Sequence, residues 1–200
     1  MPNIQDAVIY AQEIAYDDTH GYDQEDRTGP DYDCSSFVAH CLKKAGFNVD
    51  ENSWTGNLRK QLLACGFAEI PVKADRKSGD IFLTEGHHVV MCVDSSRIVH
   101  ASINEKGRAV GGKTGDQTGK EICERSFYTP SYGWEYHFRY MPESQYYVVT
   151  DGYVFPPVLI AVANGVYGNG DERINALLGM GYDPYTIQKL VNTMYGVENA

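Results

Sequence analysis

The hydrophobic pattern of this chain changes period near Gly79, and that switch limits the fold more than any other feature. Before it, apolar residues recur at helical spacing. Ile4, Ala7, Val8, Ala11, Ile14 and Ala15 share one side of residues 4–15. Phe37, Val38, Cys41, Leu42 and Ala45 do the same over 35–45, with Lys43 and Lys44 opposite and Gly46 as a stop. A further helix is predicted near 55–65, ending at Gly66. After Gly79, residues 80–83, 88–93 and 97–101 read as strands, with Asp94-Ser95-Ser96 as the turn between the last two. Residues 134–140 alternate and are expected to close the sheet, while 17–33 and 104–121 read as a polar loop and an exposed loop. Helices first and an antiparallel sheet afterwards predict an α+β fold.

A second unit is expected after about residue 145. Residues 146–157 read as a linker or edge segment, and 158–165, 171–179 and 184–195 as three short helices. Asp183-Pro184 is a strong helix start, with Asp as N-cap and Pro at the first helical position. The predicted organisation is therefore 1–145 as the larger domain, 146–157 as linker and 158–200 as a small three-helix bundle.

Composition narrows the function classes. With 200 residues and 42 % hydrophobic content, the chain can bury one good core and carry a small appendage. A formal charge of −10 and the absence of a basic stripe argue against a nucleic-acid partner. No apolar run is long enough to span a bilayer, so membrane insertion is not expected. The N-terminus lacks the basic and apolar regions of a signal peptide, which predicts synthesis in the cytoplasm. The five cysteines are odd in number and form no CxxC, which speaks against a zinc site or a disulfide framework. Cys41, Cys65 and Cys92 lie in apolar surroundings and read as small core residues.

Cys34 is different. It follows turn formers and falls in the first turn of the predicted 35–45 helix, where unpaired N–H groups and the helix dipole are expected to lower a thiol pKa. Asp33 and Ser35 flank it, and the preceding loop is polar, so a nucleophile is favoured over a core thiol. A nucleophilic thiol needs a base. His88 opens the strongest strand, and a turn at 94–96 would bring it to the same open end of the hairpin as His100. His100 would then fix the orientation of His88. His87 is the competing base. A metal site of His87, His88 and His100 is disfavoured because adjacent strand residues face opposite ways, and no cofactor is required. His40 and His137 read as structural. Tyr22 in the preceding loop is either a hydroxyl donor to the site or an anchoring aromatic.

These motifs resemble a family. Asp33-Cys34-Ser35-Ser36-Phe37-Val38, Ser78-Gly79-Asp80-Ile81-Phe82, His88-Val89-Val90-Met91-Cys92-Val93 and Ile98-Val99-His100-Ala101 are similar, in that order, to the NlpC/P60 cysteine peptidases. The run from Arg27 to Ser36 resembles the phage branch grouped as amidase family 5. The resemblance implies a papain-like domain with Cys34 as nucleophile, His88 as general base and acid, and His100 as the orienting group. It also implies Tyr22, Asp33 and Ser35 at the substrate site. Ser36 and Val90 depart from the family, which commonly has glycine at both positions; Val90 is expected to make the cleft wall bulkier.

Gly165–Arg173, Leu177, Gly181-Tyr182-Asp183, Ile187-Gln188 and Val191-Asn192 resemble the Cpl-7 (CW_7) cell-wall-binding repeat. That resemblance implies a muropeptide ligand, with Arg173 either a charged contact to it or an ordinary surface arginine. Together the two resemblances imply an endolysin that cuts an amide of the peptidoglycan stem peptide, and the missing signal peptide leads to the expectation of holin-type release. An inactive wall-binding protein and a cysteine acyltransferase on the same fold are the alternatives.

Overall fold

The computed structural model describes residues 2–141, 148–150, 153–155, 157–180 and 182–194. Three helices come first: α1 (Ile4–Ala15), α2 (Cys34–Lys44) and α3 (Thr55–Ala64). α1 and α2 use the apolar faces their spacing predicts. Ala7, Val8, Ala11 and Ile14 of α1 are buried, as are Phe37, Val38, Cys41 and Leu42 of α2. Asn3 caps α1 by accepting the Gln5 N–H, so a local side chain takes over one of the donors that a helix start leaves unpaired.

The strands are β1 (Phe67–Ile70), β2 (Ile81–Thr84), β3 (His88–Cys92), β4 (Arg97–Ala101), β5 (Ile122–Ser126) and β6 (Tyr136–Tyr140). They form one antiparallel sheet in the order β1-β6-β2-β3-β4-β5. The fold is α+β, as the change of period predicts. Alternation divides the central strands between two cores. Val89, Met91 and Val93 pack with α1 and α2, whereas Val90 and Cys92 pack with Phe82, Ile98 and Trp134 on the other face.

Several expectations need correction. β1 and β5 lie at the two edges of the sheet, and neither was expected. The stretch 104–121 is not simply an exposed loop. Asn104, Asp116 and Glu121 are buried, and Gly111 and Gly115 donate backbone N–H groups to Asp23 and Asp31 of the 17–33 loop. Val90 is fully buried in the far-face core and so forms no part of a cleft wall. Cys41 and Cys92 are core residues as expected, but Cys65 is half-buried at the end of α3 and bonds to the Asn48 carbonyl. His40 and His137 are structural: His40 bonds Glu51, and His137 stacks on Phe82 and bonds Asp80.

Part of the expected 146–157 linker falls outside the described residues. Within it, β7 (Val148–Thr150) and β8 (Tyr153–Phe155) pair as a short hairpin. Three helices follow: α4 (Pro157–Ala163), α5 (Asp171–Gly179) and α6 (Pro184–Met194). They bury a small core of their own, built on Leu159, Val162, Tyr167, Leu177, Ile187 and Val191. The expected end of the last helix at residue 195, and the rest of the chain to 200, lie outside the described residues. No helix of the described residues is long and apolar enough to cross a membrane.

Candidate active site

Cys34 is the first residue of α2, and the residue before it builds the helix start. The Asp33 carboxylate accepts the N–H groups of Ser35 at 3.0 Å and Ser36 at 2.7 Å. Ser36 Oγ in turn accepts the Asp33 N–H at 3.0 Å, completing a reciprocal capping box. This explains serine at a position where glycine is frequent: its hydroxyl belongs to the cap. Asp33 takes the second and third N–H groups of the helix, and that of Cys34 is not among those it accepts.

Arg27 locks this arrangement, and sequence reasoning assigned it no role. Its Nη2 donates to Asp33 Oδ1 at 3.0 Å and to Ser35 Oγ at 3.2 Å, and its Nε lies 3.0 Å from Asp33 Oδ2. The same Nη2 donates to the Ser53 carbonyl, tying the 17–33 loop to the start of α3. Asp33 and Ser35 are therefore consumed by one another and by Arg27. Their side chains position Cys34 and do not open toward a substrate.

The two histidines meet as the hairpin predicts. His88 Nε2 lies 2.9 Å from His100 Nδ1, with the rings nearly perpendicular. The β3–β4 ladder runs through Met91↔Val99 and Cys92↔Ile98, so His100 is the diagonal neighbour of His88 on the same face. Trp134 stacks on the other side of His88, and Tyr128 packs edge-on to His100. Because His100 occupies Nε2, Nδ1 is the nitrogen of His88 left to take a proton. His88 serves as a base at Nδ1 only in the tautomer that carries its hydrogen on Nε2 and donates it to His100. His87 does not join this pair. It is exposed and stacks on Tyr132, so the three histidines do not converge.

Cys34 lies against the strand that carries His88. The Val89 backbone N–H acts on the thiol, and the Asp33 charge reaches the His88 ring. The electrostatics reverse the expected direction for the thiol. Burial, and then the negative charge of Asp33, push Cys34 up to about 12, against the smaller opposing pull of the Val89 and Ser35 N–H groups and Arg27. Burial lowers His88 to about 4; burial, His88 and Arg125 lower His100 to about 3. At neutral pH the site holds an uncharged thiol beside uncharged imidazoles, not a preformed thiolate–imidazolium pair. A helix start favours a thiolate only where the sulfur stays hydrated enough for that charge to exist.

Tyr22 is also part of the cluster. It is buried, and its pKa rises to about 12 through burial and then the Cys34 charge. Gln24 Nε2 donates to its hydroxyl oxygen at 3.0 Å, which leaves the phenolic hydrogen free to donate. Cys34, His88, His100, Tyr22, Asp33 and Ser35 thus come together. Arg173 belongs to α5 in the C-terminal helices and is not part of this cluster.

A family model described as an endolysin-like domain matches residues 28–97 and 98–147, more than half of the chain. The chain belongs to the endolysin-like domain family. A second model, the CW_7 repeat, matches residues 157–194, over α4 to α6. No match was found among curated proteins. The endolysin-like domain marks a phage-type protein that acts on the cell wall, in general terms a peptidoglycan hydrolase, and the CW_7 repeat supports attachment to that wall.

Proposed function

We propose that the endolysin-like domain is a papain-like cysteine hydrolase of the NlpC/P60 type, with residues 1–145 as the catalytic unit. It cuts an amide of the peptidoglycan stem peptide through Cys34. The single observation that carries this reading is a helix-start thiol, bonded by the Val89 N–H next to His88, together with a second imidazole 2.9 Å from His88 Nε2.

The chemistry follows from the neutral resting state. As the Cys34 sulfur forms its bond to the amide carbon, its proton passes to His88 Nδ1, so little charge ever rests on sulfur. The negative charge moves to the carbonyl oxygen, which the Cys34 N–H and the Tyr22 hydroxyl stabilise. The imidazolium gives its proton to the leaving amine and the C–N bond breaks. Water then attacks the thioester, its proton going to His88, and the acid is released with the thiol restored. His100 holds His88 in the required tautomer throughout. The C-terminal unit, 158–200, is a three-helix bundle joined through the 146–157 linker. It binds muropeptide, with Arg173 as a charged contact, and raises the enzyme's effective concentration on the wall.

Two amides fit this chemistry: the N-acetylmuramoyl–L-alanine bond and a D-glutaminyl–L-lysine bond. Mass analysis of digested peptidoglycan distinguishes them. Intact stem peptides freed from glycan identify the first, and muropeptides truncated within the stem identify the second. A digest releasing only glycan fragments, with every stem amide intact, contradicts the proposal.

A further inference from the structure

Two large aromatic rings near the Cys34 cluster are left in solvent, and none of the hydrophobic cores uses them. Trp54 is 54 % exposed and Tyr132 is 48 % exposed. Both are nevertheless held in place. The Trp54 indole lies over Gly56, where an added Cβ would meet ring atoms at 2.3–2.7 Å. Its backbone N–H donates to Asn57 Oδ1 at 2.9 Å. The preceding residue, Ser53, accepts from Arg27, which also holds Asp33 beside Cys34. Tyr132 stacks on His87 with ring centroids 4.7 Å apart and planes at 22°. Next to that pair, His88 stacks on Trp134 at 24°. The charge of Cys34 is also felt at Tyr132. His87, the competing base at first reading, thus backs an aromatic platform beside the relay.

A fixed, half-exposed ring with polar groups at its rim suits a particular ligand. A pyranose presents an apolar face of C–H groups ringed by hydroxyls, and such a face stacks on indole and phenol while its edge bonds to polar neighbours. An acidic stem peptide calls instead for free cationic groups. Arg27, the guanidinium bonded into the Cys34 cluster, is already engaged by Asp33, Ser35 and Ser53, and Arg125, the cation that acts on His100, lies over the Tyr128 ring at 4.8 Å. We infer that Trp54 and Tyr132 are sugar platforms flanking Cys34, and that the glycan strand of peptidoglycan is the ligand they hold. This rests on the hydrolase reading above.

The chain has two tryptophans, Trp54, whose ring covers Gly56, and the buried Trp134, which stacks on His88, and tryptophan emission reports on both places. The test titrates the Cys34→Ala protein with a disaccharide muropeptide and with the same stem peptide lacking sugars. The muropeptide is expected to shift and quench the emission, and the free peptide to leave it unchanged. Tyr132→Ala is expected to weaken the muropeptide response about tenfold, whereas Tyr132→Phe, which keeps the ring, retains it. An equal response to the free peptide, or none to the muropeptide, overturns the inference. Digestion of whole peptidoglycan by the unaltered protein is run alongside. Digestion without an emission response removes the sugar platforms only; no digestion removes the hydrolase reading itself.

Discussion

At the scale of single residues, the proposed chemistry turns on a thiol and an imidazole that are both uncharged at neutral pH. Burial separates their pKa values, Cys34 up to about 12 and His88 down to about 4, so the neutral pair persists across the intervening range. The base works only when unprotonated. The acid limb of kcat/KM is therefore expected near pH 4, and not near the ordinary histidine value of about 6.5. Activity measured from pH 3 to 8 on a soluble muropeptide checks this; half-loss near 6.5 would contradict it. Stability follows the same sign. Between about 6.5 and 4 the unfolded chain takes up a proton at His88 that the folded chain does not. The contribution of His88 to stability is thus complete above 6.5 and declines as pH falls toward 4. Cys34, His88 and His100 were legible because chain position alone argued for each: a helix start, a strand start and the far end of a hairpin. Arg27 was not, because its partners lie across two loops that carry no period.

At the scale of elements, the start of α2 is the part on which the site depends. Asp33 makes the cap, the box with Ser36 and the contacts with Arg27. Replacing it with alanine removes the cap and leaves a guanidinium without its carboxylate. Asp33→Ala is expected to lower stability by about 1–2 kcal/mol, read by urea denaturation. Asp33→Asn keeps a capping side chain but not the charge, so it is expected to retain most of that stability while lowering the Cys34 pKa, read from thiolate absorbance. An unchanged thiol titration in Asp33→Asn would show that Asp33 does not act on the sulfur. The helices were legible because each buries one continuous face. The edge strands β1 and β5 were not, and the reason is physical. Each pairs on one side only, and beyond its first residue each is partly or fully exposed, so neither carries the apolar alternation of a half-buried strand.

At the scale of the whole molecule, the hydrophobic cores divide the work. The sheet buries one set of residues on each face, the larger against α1–α3, and α4–α6 bury a separate small set. The change of period at Gly79 and the helix start at Asp183-Pro184 made this division readable, whereas the docking of 104–121 on 17–33 rests on long-range bonds from backbone N–H groups to the Asp23 and Asp31 carboxylates that local pattern does not encode. Separate cores predict separable functions, with hydrolysis in one unit and wall attachment in the other. The decisive measurement takes the unaltered protein and Cys34→Ala, incubates each with purified peptidoglycan, and scores amide cleavage by mass spectrometry and wall binding by co-sedimentation. The account predicts that Cys34→Ala sediments with the wall as the unaltered protein does and releases no fragments. Fragment release by Cys34→Ala at an undiminished rate would contradict it.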